Sequence, residues 1–207
     1  MARELTLVDA GHGNLESVER AFVQVGASVK MSNDPDAIAR SRMVVLAGQG
    51  VFGPAVGRIV EGALGEALRM VIQRGDPFLG ISIGMQLLFD GSQESDGVEG
   101  LHVLPGRCKR FPGDMVLRER EHERRMKVPH MGWNNVEPSG EHYYFVHSYY
   151  VEPDRQSDVM WTAKYANIVF AAAVNRDNVY GCQFHPEKSQ QAGLRFLRAF
   201  LLGGKAG

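Results

Sequence analysis

An apolar run followed directly by a glycine-flanked serine is the feature that most constrains the fold of this chain. Residues 77–79 are apolar, and Gly80-Ile81-Ser82-Ile83-Gly84 follows them with the spacing G-x-S-x-G. Two small residues around a central side chain allow a strand to turn sharply into a helix, which lifts that side chain clear of a sheet. The pattern therefore predicts a nucleophile elbow at the edge of an α/β sheet.

The order of the other candidate residues argues against an α/β-hydrolase, in which the acid comes between the serine and the histidine. Here the best candidate base, His185, lies far downstream of Ser82, and a carboxylate, Glu187, comes two residues later. In an extended segment stiffened by Pro186, side chains two positions apart point the same way. Glu187 is therefore expected to hold the imidazole of His185.

Residues 80–88, with the pattern G-I-x-x-G-M-Q-L-L, and the distant His185-Pro186-Glu187 together resemble the class I glutamine amidotransferases. The resemblance implies that the residue at position 82, His185 and Glu187 are catalytic, and that glutamine is opened through a glutamyl thioester. The family has cysteine at the elbow, whereas this chain has Ser82. A hydroxyl is a weaker nucleophile than a thiolate, so glutamine should bind but turnover should be very low.

The resemblance also implies an oxyanion site and a substrate pocket. Gly48-Gln49-Gly50 follows the apolar run 43–46, and by the resemblance the backbone of Gly50 and the amide of Ile83 would stabilise the oxyanion, with Gly48 among the substrate-binding residues. Judged from the residues alone, many turns between a strand and a helix carry glycines that have no such role. Ala47 stands where the family commonly has proline, which should make this loop less rigid.

Four further residues would hold the glutamine substrate by the same resemblance: Gln86, Glu94, Ser148 and Tyr149. Glu94 is a chemically suitable partner for the α-amino group of glutamine. Judged from the residues alone, however, Gln86 is a surface residue of the first helical turn and Glu94 is an ordinary loop charge.

Three more segments, residues 9–18, 129–134 and 144–149, are similar to signatures of one branch of this family, the glutaminase subunits of imidazole glycerol phosphate synthases. This implies a heterodimer with a (β/α)8-barrel cyclase subunit that receives ammonia through a tunnel, with no metal or organic cofactor. An apolar loop would seal the site against the barrel. The residues expected at the partner interface are Asn14, Pro129, His130, Met131, Gly132 and Trp133.

Three explanations of Ser82 remain open. It is a substitution made to trap bound substrate, or it belongs to a natural non-catalytic subunit that supports a cyclase fed by free ammonia, or it is the nucleophile of a working serine amidase. The other expected site residues, Gln86, Glu94, His185 and Glu187, are all present, which favours the first explanation because an abandoned site would lose several of them.

The first half of the chain alternates apolar runs with helical patterns at residues 14–25 and 53–73, which is typical of a parallel α/β sheet. Past residue 100 the pattern is rich in strands and turns, with a closing helix over 190–202. We therefore expect an α/β fold with a mixed, largely parallel central sheet flanked by helices, and one domain over residues 1–207. Short apolar runs that suggest strands lie at 101–105, 115–117, 143–150, 159–162, 169–174 and 179–184.

Composition supports a globular protein: the 207 residues are 44% hydrophobic and 23% charged. Lys and Arg number 23 against 24 acidic residues, so no strong field attracts nucleic acid or a membrane surface. Residues 118–125 alternate in charge and predict a solvated hairpin, and residues 203–207 predict a frayed tail.

Two cysteines cannot build a disulfide framework, and the N-terminus has no long apolar segment, so a cytoplasmic protein is expected. Cys182 is interpreted as a buried strand residue rather than as a substitute nucleophile, because it lies in an alternating apolar run.

Overall fold

The structure, a computed structural model, describes residues 2–11, 14–119 and 122–203. Parts of three sequence predictions fall outside these ranges: residues 12–13 of the opening segment, 120–121 of the charged hairpin and 204–207 of the tail. No helix in the described ranges is long and apolar enough to cross a membrane. The helices are α1 (Leu15–Gln24), α2 (Pro35–Arg40), α3 (Phe52–Ala55), α4 (Ala63–Gln73), α5 (Ile83–Gln86) and α6 (Gln190–Leu201).

A nine-stranded mixed sheet, within the described part of the chain, has the order β11-β10-β13-β14-β15-β4-β3-β1-β2. The strands from β15 to β2 pair in parallel, and those from β11 to β15 pair antiparallel. The predicted α/β fold with a mixed sheet and flanking helices is confirmed. The strands of the chain are β1 (Arg3–Val8), β2 (Ala27–Ser32), β3 (Val44–Gly48), β4 (Phe78–Ser82), β5 (Gly91–Ser92), β6 (Ser95–Glu99), β7 (Gly106–Arg110), β8 (Val116–Glu119), β9 (His122–Arg125), β10 (His130–Glu137), β11 (Glu141–His147), β12 (Tyr149–Pro153), β13 (Val159–Tyr165), β14 (Ile168–Arg176) and β15 (Val179–Cys182).

Side chains that alternate along the parallel strands divide the interior into two layers. Val45 and Leu79 pack in the layer that holds α1 and α6, whereas Val44 and Phe78 pack in the layer that holds α2 and α4. Because helices cover both faces, these strands are apolar at successive positions rather than at every second one. The carboxyl ends of the parallel strands are therefore the edge at which functional residues are expected.

The single helix predicted over residues 53–73 is wrong. α3 continues as a π-helical segment, Val56–Val60. The helix ends there, and the chain turns at Gly62, which has φ +75°. Val56 and Leu68, on either side of the break, are both buried in the same layer. The apolar spacing therefore continues through the interruption, so periodicity alone does not reveal it.

The apolar run at 101–105 is not a strand. Leu101 and Leu104 are buried, but the amide of Leu101 donates to the carbonyl of Leu87 (2.7 Å) and the amide of Leu104 donates to that of Leu88 (2.9 Å). The backbone amides thus donate hydrogen bonds to the residues that follow α5, and the segment does not pair with a β-strand. Burial accounts for the apolar composition without requiring strand structure.

The aromatic run at 143–150 forms two strands that belong to different sheets. β11 lies in the large sheet, whereas β12 pairs with β7 in a four-stranded sheet of order β12-β7-β5-β6. Ser148 lies between them, so Ser148 and Tyr149 occupy the corner where the two sheets meet. The short strands β5, β6 and β7 have no apolar run that would predict them, because polar residues dominate their sequences. The charged segment predicted as a hairpin forms the antiparallel pair β8–β9.

Candidate active site

Ser82 lies at the junction of β4 and α5, with φ +56° and ψ −110°. A positive φ outside glycine is uncommon and costs about 1–3 kcal/mol, so the surroundings must hold the turn. A Cβ on Gly80 would lie 2.5 Å from the carbonyl oxygen of Gly84, and a Cβ on Gly84 would lie 1.9 Å from that of Leu46. The G-x-S-x-G spacing therefore has a steric origin: both glycines let backbone segments approach closely around the elbow.

The loop that follows β3 lies beside the elbow. Gly48 and Ser82 are paired in the parallel register of β3 and β4. Two residues further on, Gly50 has φ +135°, a conformation that favours glycine. Gly50, Ser82 and Ile83 line the same cavity. The backbone of the loop and that of the start of α5 therefore border one cavity, as an oxyanion site built from backbone N–H groups requires.

His185 reaches the same edge of the sheet because β15 runs parallel to β4 and ends beside it. Nδ1 of His185 lies 2.9 Å from Oε1 of Glu187, and both side chains are buried. The predicted extended segment is wrong, since Pro186–Lys188 form a 3-10 turn. Only His185 is extended, and Pro186, at the start of the turn, directs the chain so that Glu187 folds back onto the imidazole.

The backbone of His185 is held on both sides. Its amide donates to the carbonyl of Tyr144 (2.8 Å), and its carbonyl accepts from the hydroxyl of Ser189 (2.6 Å). Nε2 of His185 is buried and makes no hydrogen bond to any residue that the structure describes. With the carboxylate of Glu187 at Nδ1, Nε2 is the nitrogen left to accept a proton.

A cavity of about 290 Å³ opens at Ser82 and is close to the lower end of the volumes typical of ligand sites. The structure brings most of the predicted substrate-binding residues together around it, although they come from four separate parts of the chain. Its lining includes Gly50, Ser82, Ile83, Gln86, Glu94, Pro129, Ser148 and Tyr149. Gly48, His185 and Glu187 instead line a small separate recess together with Asn14.

Gln86 is buried, so its interpretation from the residues alone as a surface position is wrong. The short helix α5 lies in the interior, and Nε2 of Gln86 donates to Oε1 of Gln183 (3.0 Å) and to the carbonyl of Tyr149 (3.3 Å). Oε2 of Glu94 accepts from the amide of Phe52 (2.8 Å), which ties the turn between β5 and β6 to the start of α3. Both residues thus have structural partners as well as a place in the cavity lining.

The residues expected at a partner interface differ in exposure. Met131 is 62% and Trp133 is 48% exposed on β10, and Asn14 is exposed before α1. Pro129 is exposed and lines the cavity. His130 is only 3% exposed in this chain, so its side chain lies inside the fold, and its place at a partner interface stays a prediction. It begins β10 as a strand residue, and strand alternation turns its side chain inward while Met131 faces outward.

The prediction that Cys182 fills the interior agrees with its structure. It is fully buried, its thiol contacts the carbonyl of Phe184 (3.5 Å), and burial raises its pKa well above the usual range. Burial likewise raises the pKa of Cys108 to about 12. Neither thiol is suited to act as a thiolate nucleophile. Within the described ranges, no cluster of three or more His, Cys, Asp or Glu side chains could hold a metal ion.

Sequence reasoning missed two buried polar residues near the site, His147 and Gln183. Residues 143, 145 and 147 share one face of β11, and the first two are fully buried aromatics. That alternation indicates that His147 points inward. No comparable signal was available for Gln183, whose side chain acquires its role only through its contact with Gln86.

The fold and the site together define a class of protein. The family model for class-I glutamine amidotransferases matches residues 6–203, and the chain belongs to that family. Among its relatives, subunit HisH of imidazole glycerol phosphate synthase from Syntrophotalea carbinolica is 45% identical, covering 95% of this chain and 98% of the relative. The protein of the same name from Geobacter metallireducens is 43% identical, covering 96% and 97%.

Solved structures support the fold. A crystal structure of a glutamine amidotransferase matches with a TM-score of 0.70 at 17% identity, covering 96% of this chain and 98% of that one. The structure of PurLQS from Thermotoga maritima matches with a TM-score of 0.66 at 15% identity, covering 98% and 99%.

Proposed function

We propose that this chain is the glutaminase subunit of an imidazole glycerol phosphate synthase, which hydrolyses glutamine to glutamate and supplies ammonia for histidine biosynthesis. The observation that carries the proposal is the shared cavity of Ser82, Gln86 and Glu94, at the sheet edge to which β15 delivers His185. The relatives named HisH, at 43–45% identity over nearly the whole chain, support the choice of subunit.

The proposed reaction assigns a role to each group. The side chain at position 82 attacks the side-chain carbonyl carbon of glutamine, and its proton passes to Nε2 of His185. The amides of Gly50 and Ile83 stabilise the oxyanion. When the C–N bond breaks, His185 returns the proton to the leaving ammonia, and Glu187 stabilises the imidazolium in between. Water then attacks the acyl group with His185 as base, the bond from the acyl carbon to the side chain at position 82 breaks, His185 returns the proton to that side chain, and glutamate leaves.

Gln86, Glu94, Ser148 and Tyr149 are proposed to hold the substrate. Their common place in the cavity lining supports this assignment. The carboxylate of Glu94 suits the α-amino group of glutamine, since a buried cation needs an opposite charge.

Ser82 is proposed to replace the family cysteine and to make turnover very low, because an alkoxide forms far less readily than a thiolate. A second candidate function, a non-catalytic subunit that binds and supports the cyclase, is favoured by Ser82 itself. A serine amidase is the least favoured alternative, because a serine hydroxyl gives up its proton far less readily than the thiol that the family uses.

The proposed partner is a (β/α)8-barrel cyclase subunit that receives ammonia directly, and its proposed contact surface includes Asn14, Met131 and Trp133. The exposure of the two apolar side chains on β10 supports this surface. We further propose one amidotransferase domain over residues 1–207 and a cytoplasmic location, for which the two unpaired cysteines are suitable.

The test is glutamate release from glutamine by the chain as given and by its Ser82→Cys variant, each with and without the cyclase subunit and its nucleotide ligand. We expect release by the cysteine variant, mainly with the partner present. A Ser82→Cys variant that stays inactive under all conditions would favour the supporting subunit. Free turnover by the serine form alone would favour a serine amidase.

A further inference from the structure

The carbonyl oxygen of Tyr149 accepts two hydrogen bonds, from Nδ1 of His147 (2.8 Å) and from Nε2 of Gln86 (3.3 Å). A carbonyl can only accept, so Nδ1 of His147 carries a proton and the amide nitrogen of Gln86 faces Tyr149. The same nitrogen also donates to Oε1 of Gln183. Both N–H groups of Gln86 are thus committed to the protein, and Oε1, an acceptor, is what Gln86 can offer to a ligand in the cavity.

The chain of hydrogen bonds continues from His147, which itself lines the cavity, to β10. Because His147 donates through Nδ1, its Nε2 is the acceptor for Nδ1 of His130, 2.9 Å away. Nε2 of His130 then accepts from Nδ2 of Asn134 (3.3 Å). The amide of Asn134 is itself oriented, since Nδ2 donates to the carbonyl of Lys164 (2.9 Å) and Oδ1 accepts from the amide of Asn135 (2.8 Å). The three bonds that link Asn134, His130, His147 and Tyr149 therefore run in one direction, from β10 toward Tyr149.

This direction requires both imidazoles to be neutral. A second proton on His130 would point its Nε2–H at Nδ2 of Asn134, which is itself a donor. A second proton on His147 would point its Nε2–H at the N–H group on Nδ1 of His130. The surroundings favour neutrality: Phe145 stacks on His130 at 4.9 Å between ring centroids, and Phe111 lies 5.2 Å from His147. Burial lowers the pKa of His130 to about 4 and that of His147 to about 3.

We infer that His147 and His130 are positioning residues for glutamine: two neutral imidazoles lock the carbonyl of Tyr149 and, through it, direct Oε1 of Gln86 toward an N–H group of the substrate. This inference rests on the proposed function and adds to it a pair of residues with a defined role. The histidines act on binding through Gln86, and the proton transfers of the reaction remain with His185.

Three variants separate this role from simple packing. His147→Phe keeps an aromatic ring in the cluster but removes the donor to Tyr149. His147→Asn restores a donor, because Nδ2 of asparagine occupies nearly the place of Nδ1. Phe170→Leu disturbs the same aromatic cluster, 5.2 Å from His147 between ring centroids, and leaves the hydrogen-bonded chain intact.

Two readouts apply to each variant: the glutamine dissociation constant of the Ser82 form by calorimetry, and KM and kcat in the Ser82→Cys background with the cyclase subunit bound. For His147→Phe we expect glutamine binding weaker and KM higher by about tenfold, from the loss of one buried hydrogen bond, with kcat within about twofold. His147→Asn should recover most of the affinity, and Phe170→Leu should match the parent.

The same glutamine affinity in His147→Phe and in the parent would overturn the inference, as would an equal loss in Phe170→Leu, because packing would then be the cause. His130→Phe provides a second variant that keeps the stacking on Phe145, and we expect about threefold weaker binding; parental affinity there would also overturn the inference. A parent that neither binds glutamine in its serine form nor hydrolyses it in its Ser82→Cys form would reject the proposed function itself, which the parent measurement alone reveals.

Discussion

Gly48 and Ser82 are directly paired at the carboxyl ends of β3 and β4. The loop and the elbow are therefore placed side by side by sheet register, which is more rigid than contact between two loops. The close approach of Gly84 to the carbonyl of Leu46 holds α5 against the end of β3. The geometry around residue 82 thus depends on backbone packing that tolerates no extra side-chain atom.

Gly84→Ala is expected to destabilise the protein by about 3 kcal/mol or more, because the added Cβ would lie 1.9 Å from a backbone oxygen that cannot move freely. Urea unfolding measures the effect. Gly113→Ala is the matched control, since no atom lies within 4 Å of its added Cβ and its φ is not positive. Equal midpoints for the two variants would contradict the steric explanation of the elbow.

Ser189→Ala is expected to lower kcat in the Ser82→Cys background and to cost about 1–3 kcal/mol of stability, because Ser189 bridges the amide of Tyr144 and the carbonyl of His185. Ser139→Ala is the control for Ser189→Ala. The hydroxyl of Ser139 also bridges an amide and a carbonyl, those of Glu141 and Val136, but in a turn outside the site. The control should lose stability while keeping kcat. An unchanged kcat in Ser189→Ala would show that this bridge does not position the histidine.

The buried histidine pair predicts a dependence of stability on pH. The pKa of His130 falls from about 6.5 to about 4 on folding, so the unfolded chain binds more protons than the folded one between these values. The stability is fully present above pH 6.5 and declines as the pH falls toward 4, by about 2 kcal/mol per imidazole at pH 5. Urea midpoints at pH 7 and pH 5 measure this, and His130→Phe should reduce the difference. An undiminished difference in that variant would assign the decline to other groups.

Trp133→Ser is expected to weaken binding of the cyclase subunit by about 2 kcal/mol or more, as is typical of an aromatic anchor in an interface. The free energy of unfolding of the isolated chain should change less, because the side chain is 48% exposed. Val169→Ser, at a residue that is 63% exposed on β14, is the control and should leave partner binding unchanged. A calorimetric titration with the cyclase subunit measures the affinity of each variant. Equal affinities of Trp133→Ser and Val169→Ser would show that Trp133 is not part of the interface.

The sequence was most informative where a residue type is required by local sterics or chemistry. Glycines at 80 and 84 predicted the elbow because only they fit around Ser82, and the short spacing of His185 and Glu187 predicted their contact. The extended conformation expected between them was wrong. Proline is compatible with the first position of a helical turn as well as with an extended segment, and here Pro186 starts a 3-10 turn. Residue types therefore identified the pair, whereas the local conformation depended on packing with α6.

Other features depend on tertiary contacts that no local pattern encodes. Gln86 is polar and lies on a short helix, yet it is buried because Gln183 and Tyr149 satisfy its amide. His130 belongs to the segment predicted as an apolar loop, and only the structure shows that this segment is a strand whose alternation turns His130 inward and Met131 outward. The burial of Gln86 and His130 therefore became visible only in the structure.

The most direct test of the central claim, that residue 82 is the nucleophile toward glutamine, is a search for a covalent intermediate. Ser82→Cys would be mixed with glutamine and the cyclase subunit, quenched with acid during turnover, digested and examined by mass spectrometry, with Ser82→Ala as the control. We predict a glutamyl adduct on the peptide that carries residue 82 in the cysteine variant and none in the alanine variant. Glutamate release by Ser82→Ala at the rate of Ser82→Cys, without an adduct in either, would contradict this claim.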